Sequence, residues 1–197
     1  KIFKMKIYSK KEIWLIVLII LVAALGIYFF PYLPERVPTH WNIEGEVDGW
    51  MSKALAIWFF PALIIVFYLL LSFIPLIDPL RDNIEDFAGI YFWFKLIFIL
   101  FLSGLYFLTL YTALGHQLDI RRLVLSGIAI LFFTIGIFLP KIKKNYTIGI
   151  RLPWTLHSEV VWQKTHLFGG KLFKFLAIFL IAIAWLAERW SFYLMLG

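Results

Sequence analysis

Apolar positions along this chain fall in long blocks rather than in short alternations. Five runs are long enough to cross a bilayer: 13–30, 54–77, 87–114, 123–139 and 172–187. A crossing takes about 20 apolar residues. Unpaired backbone groups are too costly in hydrocarbon, so each run predicts a helix. The last two runs are short and predict little tilt. Another apolar run begins at Trp190, after a break at Glu188 and Arg189, and predicts the start of a sixth span. The run 190–196 is itself too short to cross, and the first residue is not Met, so the chain reads as a piece of a longer one. The first run leads into Pro31 and has no small-x-small site at its end, which predicts a span rather than a cleaved signal peptide. The fold class is therefore all-α: a polytopic transmembrane helical bundle of five complete spans plus the start of a sixth.

Composition agrees. Hydrophobic residues make up 62% of the 197 and charged residues 16%, with a mean hydropathy of +0.88. Soluble domains are closer to half apolar and a quarter charged. Cysteine is absent, which excludes disulfides and thiolate metal sites. The net charge of +7 does not point to direct nucleic-acid binding, because the bases gather at span ends. Thirteen lie on one side: Lys1, Lys4, Lys6, Lys10 and Lys11, then Arg81, then Lys141, Lys143, Lys144, Arg151, Lys164, Lys171 and Lys174. Five lie on the other: Arg36, Lys53, Arg121, Arg122 and Arg189. The positive-inside bias then predicts a multi-pass protein of the cytoplasmic membrane, with the N-terminus and loop 141–171 inside and loop 31–52 outside. Lys95 stands within the third span, roughly 12 Å deep at 1.5 Å per residue. An ionisable group there is a functional candidate; its plainer readings are snorkelling to the headgroups or a structural pair. Pro61 and Pro75 predict kinks in the second span.

Two loops carry more than a connection needs. In the first, Pro31, Pro34 and Pro38 predict extended chain, and Asn42, Gly45 and the pair Asp48–Gly49 supply turn chemistry. Tyr32, Trp41 and Trp50 suit the headgroup level, so the segment predicts an ordered cap. His40 with Glu44, Glu46 and Asp48 matches no standard metal-ligand spacing, and no metal is assigned. In the second loop, Lys141 to Lys144 form a basic anchor, and residues 145–154 read as extended or turn structure. Ser158 predicts an N-cap with Glu159 at the first helical position. The helix predicted from there ends at Gly169–Gly170. Trp162 and His166 then share one face, and Arg151 near Trp154 is placed to pair with Glu159.

No catalytic constellation is visible: there is no H-E-x-x-H, no G-x-S-x-G and no cysteine. Neither a catalytic residue nor a cofactor is assigned, and the chain reads as a non-enzyme. The string N-Y-T-I-G-I-R-L-P-W-T-L-H-S-E-V-V-W-Q-K-T-H, followed by Gly-Gly, closely resembles the SdpI family of bacterial membrane proteins. L-P-E-R-V-P-T-H-W-N-I-E-G-E-V-D-G-W resembles the signature of a domain of unknown function that precedes the SdpI region in many members. The matching positions in the first loop are Pro34, Pro38, Thr39, His40, Trp41, Asn42, Gly45, Asp48 and Gly49. In the second they are Asn145, Gly149, Arg151, Pro153, Trp154, Thr155, Glu159, Trp162 and His166. This divides the chain into an N-terminal membrane region, 1–112, and an SdpI-like region, 113–197.

The resemblance implies a six-helix protein with both termini inside. It implies protection against a secreted peptide toxin met outside, and relay of the toxin's presence to a winged-helix repressor inside. Membrane lipids are the remaining partner. The alternatives are a small transporter or channel, for which Lys95 and scattered hydroxyls are the only midplane polar groups, and a membrane enzyme.

Overall fold

The computed structural model describes residues 10–42 and 44–195, with side chains as far as 186. Lys1, Lys4 and Lys6 lie outside the described residues. So do the side chains from Trp190 onward, where the sixth span is expected.

Among the described residues five helices are long and apolar enough to cross a membrane. They are α1 (Glu12–Phe29), α2 (Lys53–Phe73), α4 (Ala88–Ala113), α5 (Ile120–Phe138) and α7 (Glu159–Met195). Two short helices, α3 (Arg81–Glu85) and α6 (Pro153–His157), lie between them. Only 22% to 28% of the most apolar window of each span is buried. Most of the remaining helix surface is partly or fully exposed and apolar, the arrangement lipid demands and water forbids. Three spans end alike, in a 3-10 turn built on a proline: Phe30–Tyr32, Ile74–Leu76 and Leu139–Lys141. Proline has no N–H to continue the helical ladder, and its fixed φ suits one last tight turn. Pro75 thus closes the second span, whereas Pro61 sits buried inside α2.

The departure from pure helix is a two-stranded antiparallel sheet, β1 (Arg36–Trp41) with β2 (Val47–Ser52), between α1 and α2. It caps one end of the bundle. Val37 plugs into a cluster with Ile19, Val22, Ile57, Tyr106 and Leu110, joining α1, α2 and α4 beneath the hairpin. A second cluster, at the opposite end, joins Ile84, Phe87, Tyr91, Phe138, Ile142 and Trp162.

Helices α5 and α7 lie along each other, and here one expectation fails. Gly169–Gly170 does not end a helix. The chain runs through it as a single helix of 37 residues, roughly 55 Å at 1.5 Å per residue. Loop 141–171 therefore gives way to helix at Glu159. The glycines serve the crossing instead. A Cβ on Gly170 would come within 2.9 Å of the Gly136 carbonyl, and one on Gly136 within 2.8 Å of the Gly170 carbonyl. Glycine lets two backbones approach this closely in a membrane, and continuous packing outweighs its tendency to stop a helix. The backbone also stays helical past Glu188 and Arg189, to Met195.

Candidate functional site

The two motif loops end up at opposite ends of the bundle, and each is internally tied. In the hairpin, the Asn42 backbone N–H donates to the Glu46 carbonyl at 2.9 Å, and the Glu46 N–H donates to Asn42 Oδ1 at 2.8 Å. Gly45 closes the turn at φ +87°, in the left-handed region that favours glycine. Lys53 bonds Glu35 Oε1 at 2.8 Å and lies over the Phe30 ring, fastening the hairpin base to α1 and α2. Ser52 caps α2 by accepting from the Leu55 N–H at 3.3 Å.

Asp48 and Gly49 are not turn residues; both belong to β2. Gly49 lies opposite His40, and a Cβ there would come within 2.7 Å of the His40 Cβ. The glycine answers a cross-strand contact rather than a bend. Pairing is irregular at this point, with register shifts between Pro38 and His40 and between His40 and Trp41. His40 Nδ1 meets Asp48 Oδ1 in an exposed pair. Pro34 is exposed ahead of β1, Pro38 is buried, and Thr39 and Trp41 are half-buried.

At the other end, residues 141–158 between α5 and α7, the fourth loop of the bundle (loop four), are strapped down by groups that the sequence pattern did not mark. Asp78 is 3% exposed. Its Oδ2 accepts from the Tyr146 N–H at 2.8 Å and from the Thr147 hydroxyl at 2.6 Å, while Oδ1 accepts from the Leu80 N–H. Asn83 donates to the Lys144 carbonyl at 2.7 Å, and Lys143 pairs with Asp86 at 2.7 Å. The segment 78–86, between α2 and α4, is thus a second wall for loop four. An acid among Ile77, Pro79 and Leu80, in an otherwise apolar stretch, is the signal that marks it.

Within loop four, buried Asn145 folds a tight turn. Its Oδ1 accepts from the N–H groups of Thr147 and Ile148, and its Nδ2 donates to the Lys143 carbonyl. Thr155 Oγ1 accepts from the Leu152 N–H at 2.8 Å and donates to the Ile150 carbonyl. Ser158 caps α7 as its sequence implies, accepting from the Val161 N–H at 3.4 Å. Trp162 and His166 are fully buried and stacked, ring centroids 4.1 Å apart. Trp162 Nε1 donates to the Ile142 carbonyl at 2.8 Å. His166 Nδ1 bonds the Trp162 carbonyl, and Nε2 accepts from the Ile150 N–H at 3.0 Å. A backbone N–H only donates, so the imidazole is the neutral Nδ1–H form.

Arg151 and Glu159 do not pair. The Arg151 guanidinium donates to the Tyr146 carbonyl at 2.8 Å, and Glu159 lies 3.7 Å from Lys144. The motif therefore splits. Asn145, Thr155, Trp162 and His166 face inward, while Arg151, Pro153, Trp154 and Glu159 face outward.

Lys95 belongs to neither loop. It is 1% exposed and does not snorkel; its ammonium meets Glu12 Oε1 at 2.7 Å, within 6 Å of the Tyr68 and Tyr91 rings. Among the described residues no group of three or more His, Asp or Glu side chains is placed to hold a metal ion.

The SdpI/YfhL protein family model matches residues 141–197, the loop-four strap and α7. The model of a domain of unknown function, DUF1648, matches residues 17–65, which hold the hairpin between α1 and α2. Immunity protein SdpI of Bacillus subtilis (strain 168) is 28% identical over 163 residues, 83% of this chain and 76% of that protein. No solved structure matches. Both matched regions thus coincide with the two tied ends of one bundle, and the chain is a multi-pass membrane protein similar to Immunity protein SdpI along most of its length.

Proposed function

We propose that the chain is a non-enzymatic membrane immunity protein, which protects the cell from a secreted peptide toxin and relays the toxin's presence to a cytoplasmic repressor. The similarity to Immunity protein SdpI along most of both chains carries this reading. The excess of Lys and Arg at the loop-four end supports an orientation with that end inside and the hairpin outside. The outward half of the loop-four motif supports the relay. Trp154 is 59% exposed beside Arg151, with Tyr146 and Leu152 also open. An indole and a guanidinium are effective interface anchors, each joining contact area to polar groups. Trp162 and His166 hold that surface in place from beneath rather than contacting the partner.

The test is challenge of sensitive cells with the purified peptide toxin of the SdpI system, with and without this chain. Survival only with the chain is the expected result; equal killing overturns the immunity role. Recruitment of the repressor to the membrane is then followed in Trp154→Ala and Arg151→Ala. Loss of recruitment with protection intact is expected. Unchanged recruitment in both variants overturns the relay surface.

A further inference from the structure

Between α4 and α5 lies a groove of about 700 Å³. Apart from Tyr111, every side chain on it is apolar. Leu100, Phe107, Leu123 and Ile130 on its walls are 39% to 57% exposed, so it opens toward the surrounding hydrocarbon. Along α4 it runs from Ile97 to Tyr111, roughly 21 Å at 1.5 Å per residue. One leaflet's share of the hydrocarbon core is about 15 Å, so an acyl tail fits along it. Glycine makes the room. A Cβ on Gly104 would meet nothing within 4 Å, and one on Gly127 would come within 2.8 Å of the Phe101 ring.

At the hairpin end the groove meets a cleft of about 630 Å³. Leu118 lines both, and His116 of the cleft stacks on Tyr111 of the groove, ring centroids 4.1 Å apart. One wall of the cleft is a face of the hairpin. Arg36 and Pro38 are two apart in β1, and Trp50 is paired opposite Pro38, so all three lie on one face of the sheet. Val37, between them, points the other way into the core. The other wall is the connection from α4 to α5, with His116, Gln117 and Leu118.

Besides the indoles of Trp41 and Trp50, the polar side chains of the cleft are Arg36, Thr112, His116 and Gln117, and no acid lines it. The Thr112 hydroxyl is already used, donating to the Leu108 carbonyl at 2.8 Å. The acids next to these residues in the chain are also engaged, Glu35 with Lys53 and Asp119 with Arg122. Among the described residues the exposed Arg36 guanidinium has neither an ion pair nor a hydrogen bond. The cleft therefore carries a positive charge with nothing to balance it.

Hydrocarbon gains little by leaving bulk lipid for an apolar groove, so the groove alone would not select a ligand. A guanidinium does, since its planar fork matches a pair of phosphate oxygens. Indoles beside it suit the headgroup level. We propose that groove and cleft together bind one anionic phospholipid from the leaflet on the hairpin side, with a tail along α4 and α5 and its phosphodiester on Arg36. The site does not depend on the immunity reading.

The test is native mass spectrometry of the full chain, stripped of lipid in detergent and titrated with phosphatidylglycerol or phosphatidylcholine. One phosphatidylglycerol should bind ahead of all others, and several-fold more tightly than phosphatidylcholine, whose ammonium cancels the phosphate charge. Arg36→Gln should weaken that first phosphatidylglycerol about tenfold, the lower end for a hydrogen bond to a charged group, and should abolish the preference. Gly104→Leu should weaken it several-fold by filling the groove. Its side chain enters open space, so the melting temperature of the lipid-free chain should not fall. Equal affinity for the two lipids in the unaltered chain, or unchanged binding in both variants, overturns the site. A dimer cross-linked by oxidation through Gly104→Cys in native membranes would put a second copy in the groove, and overturns it as well.

Discussion

Lys95 and Glu12 are 83 residues apart in sequence and 2.7 Å apart in space. The pair ties the start of α1 to the middle of α4 where neither charge reaches water: Lys95 is 1% exposed and Glu12 7%. Among the described residues Glu12 Oε2 has no hydrogen-bond partner. The ammonium also lies 5.7 Å from the Tyr91 ring, and the Tyr91 hydroxyl donates to the Leu71 carbonyl at 2.6 Å, so α2 joins the same contact.

Removing one buried charge leaves the other without compensation, which costs about 3–5 kcal/mol. Lys95→Met or Glu12→Gln alone should therefore lower stability by that order, read as unfolding midpoint in detergent. The double variant Lys95→Met with Glu12→Leu should recover most of the loss, because an apolar pair of similar volume removes both desolvation terms. Additive losses in the double variant would show that the two charges act separately.

The Trp162–His166 stack makes a prediction at a glycine. Gly149 has φ +111°, and a Cβ there would come within 2.5 Å of His166 Nε2. Gly149→Ala should be destabilising by about 1–3 kcal/mol through backbone strain alone, with displacement of His166 adding to it. Trp162→Ala should cost about 3–5 kcal/mol, as a buried aromatic truncated in a packed cluster. Trp154→Ala, on the exposed side of the same motif, should leave the melting temperature within about 1 °C, since surface changes are usually small. Equal melting temperatures for the Trp162 and Trp154 variants would contradict the inward and outward division of the motif.

Orientation is open to single-cysteine labelling, because the chain has no cysteine of its own. His157 and Glu44 are exposed at opposite ends of the bundle. In intact cells an impermeant maleimide should label Glu44→Cys and spare His157→Cys until the membrane is permeabilised. The reverse pattern would invert the proposed topology.

The spans were legible in the sequence because their cause is local. A run of apolar residues in lipid must satisfy its own backbone, and only a helix does so within one segment. The prolines that end α1, α2 and α5 and the Ser158 cap are local for the same reason: each acts on backbone groups a few residues away. Other features depended on residues distant in the chain. Gly169–Gly170 has the local character of a stop, yet it lies within α7 because Gly136 of α5 needs the space. Asp48–Gly49 has the character of a turn, yet His40 across the sheet makes it strand. Arg151 and Glu159 are near in sequence, but the Tyr146 carbonyl and Lys144 took them as partners. Asp78 became the anchor of loop four, and Glu12 the partner of Lys95, only once packing brought those segments together. The sequence alone determined which segments enter the membrane, since each must solve its own hydrogen-bonding. Which polar groups meet was left to the tertiary structure, because a buried donor or charge is satisfied by whatever the fold places beside it.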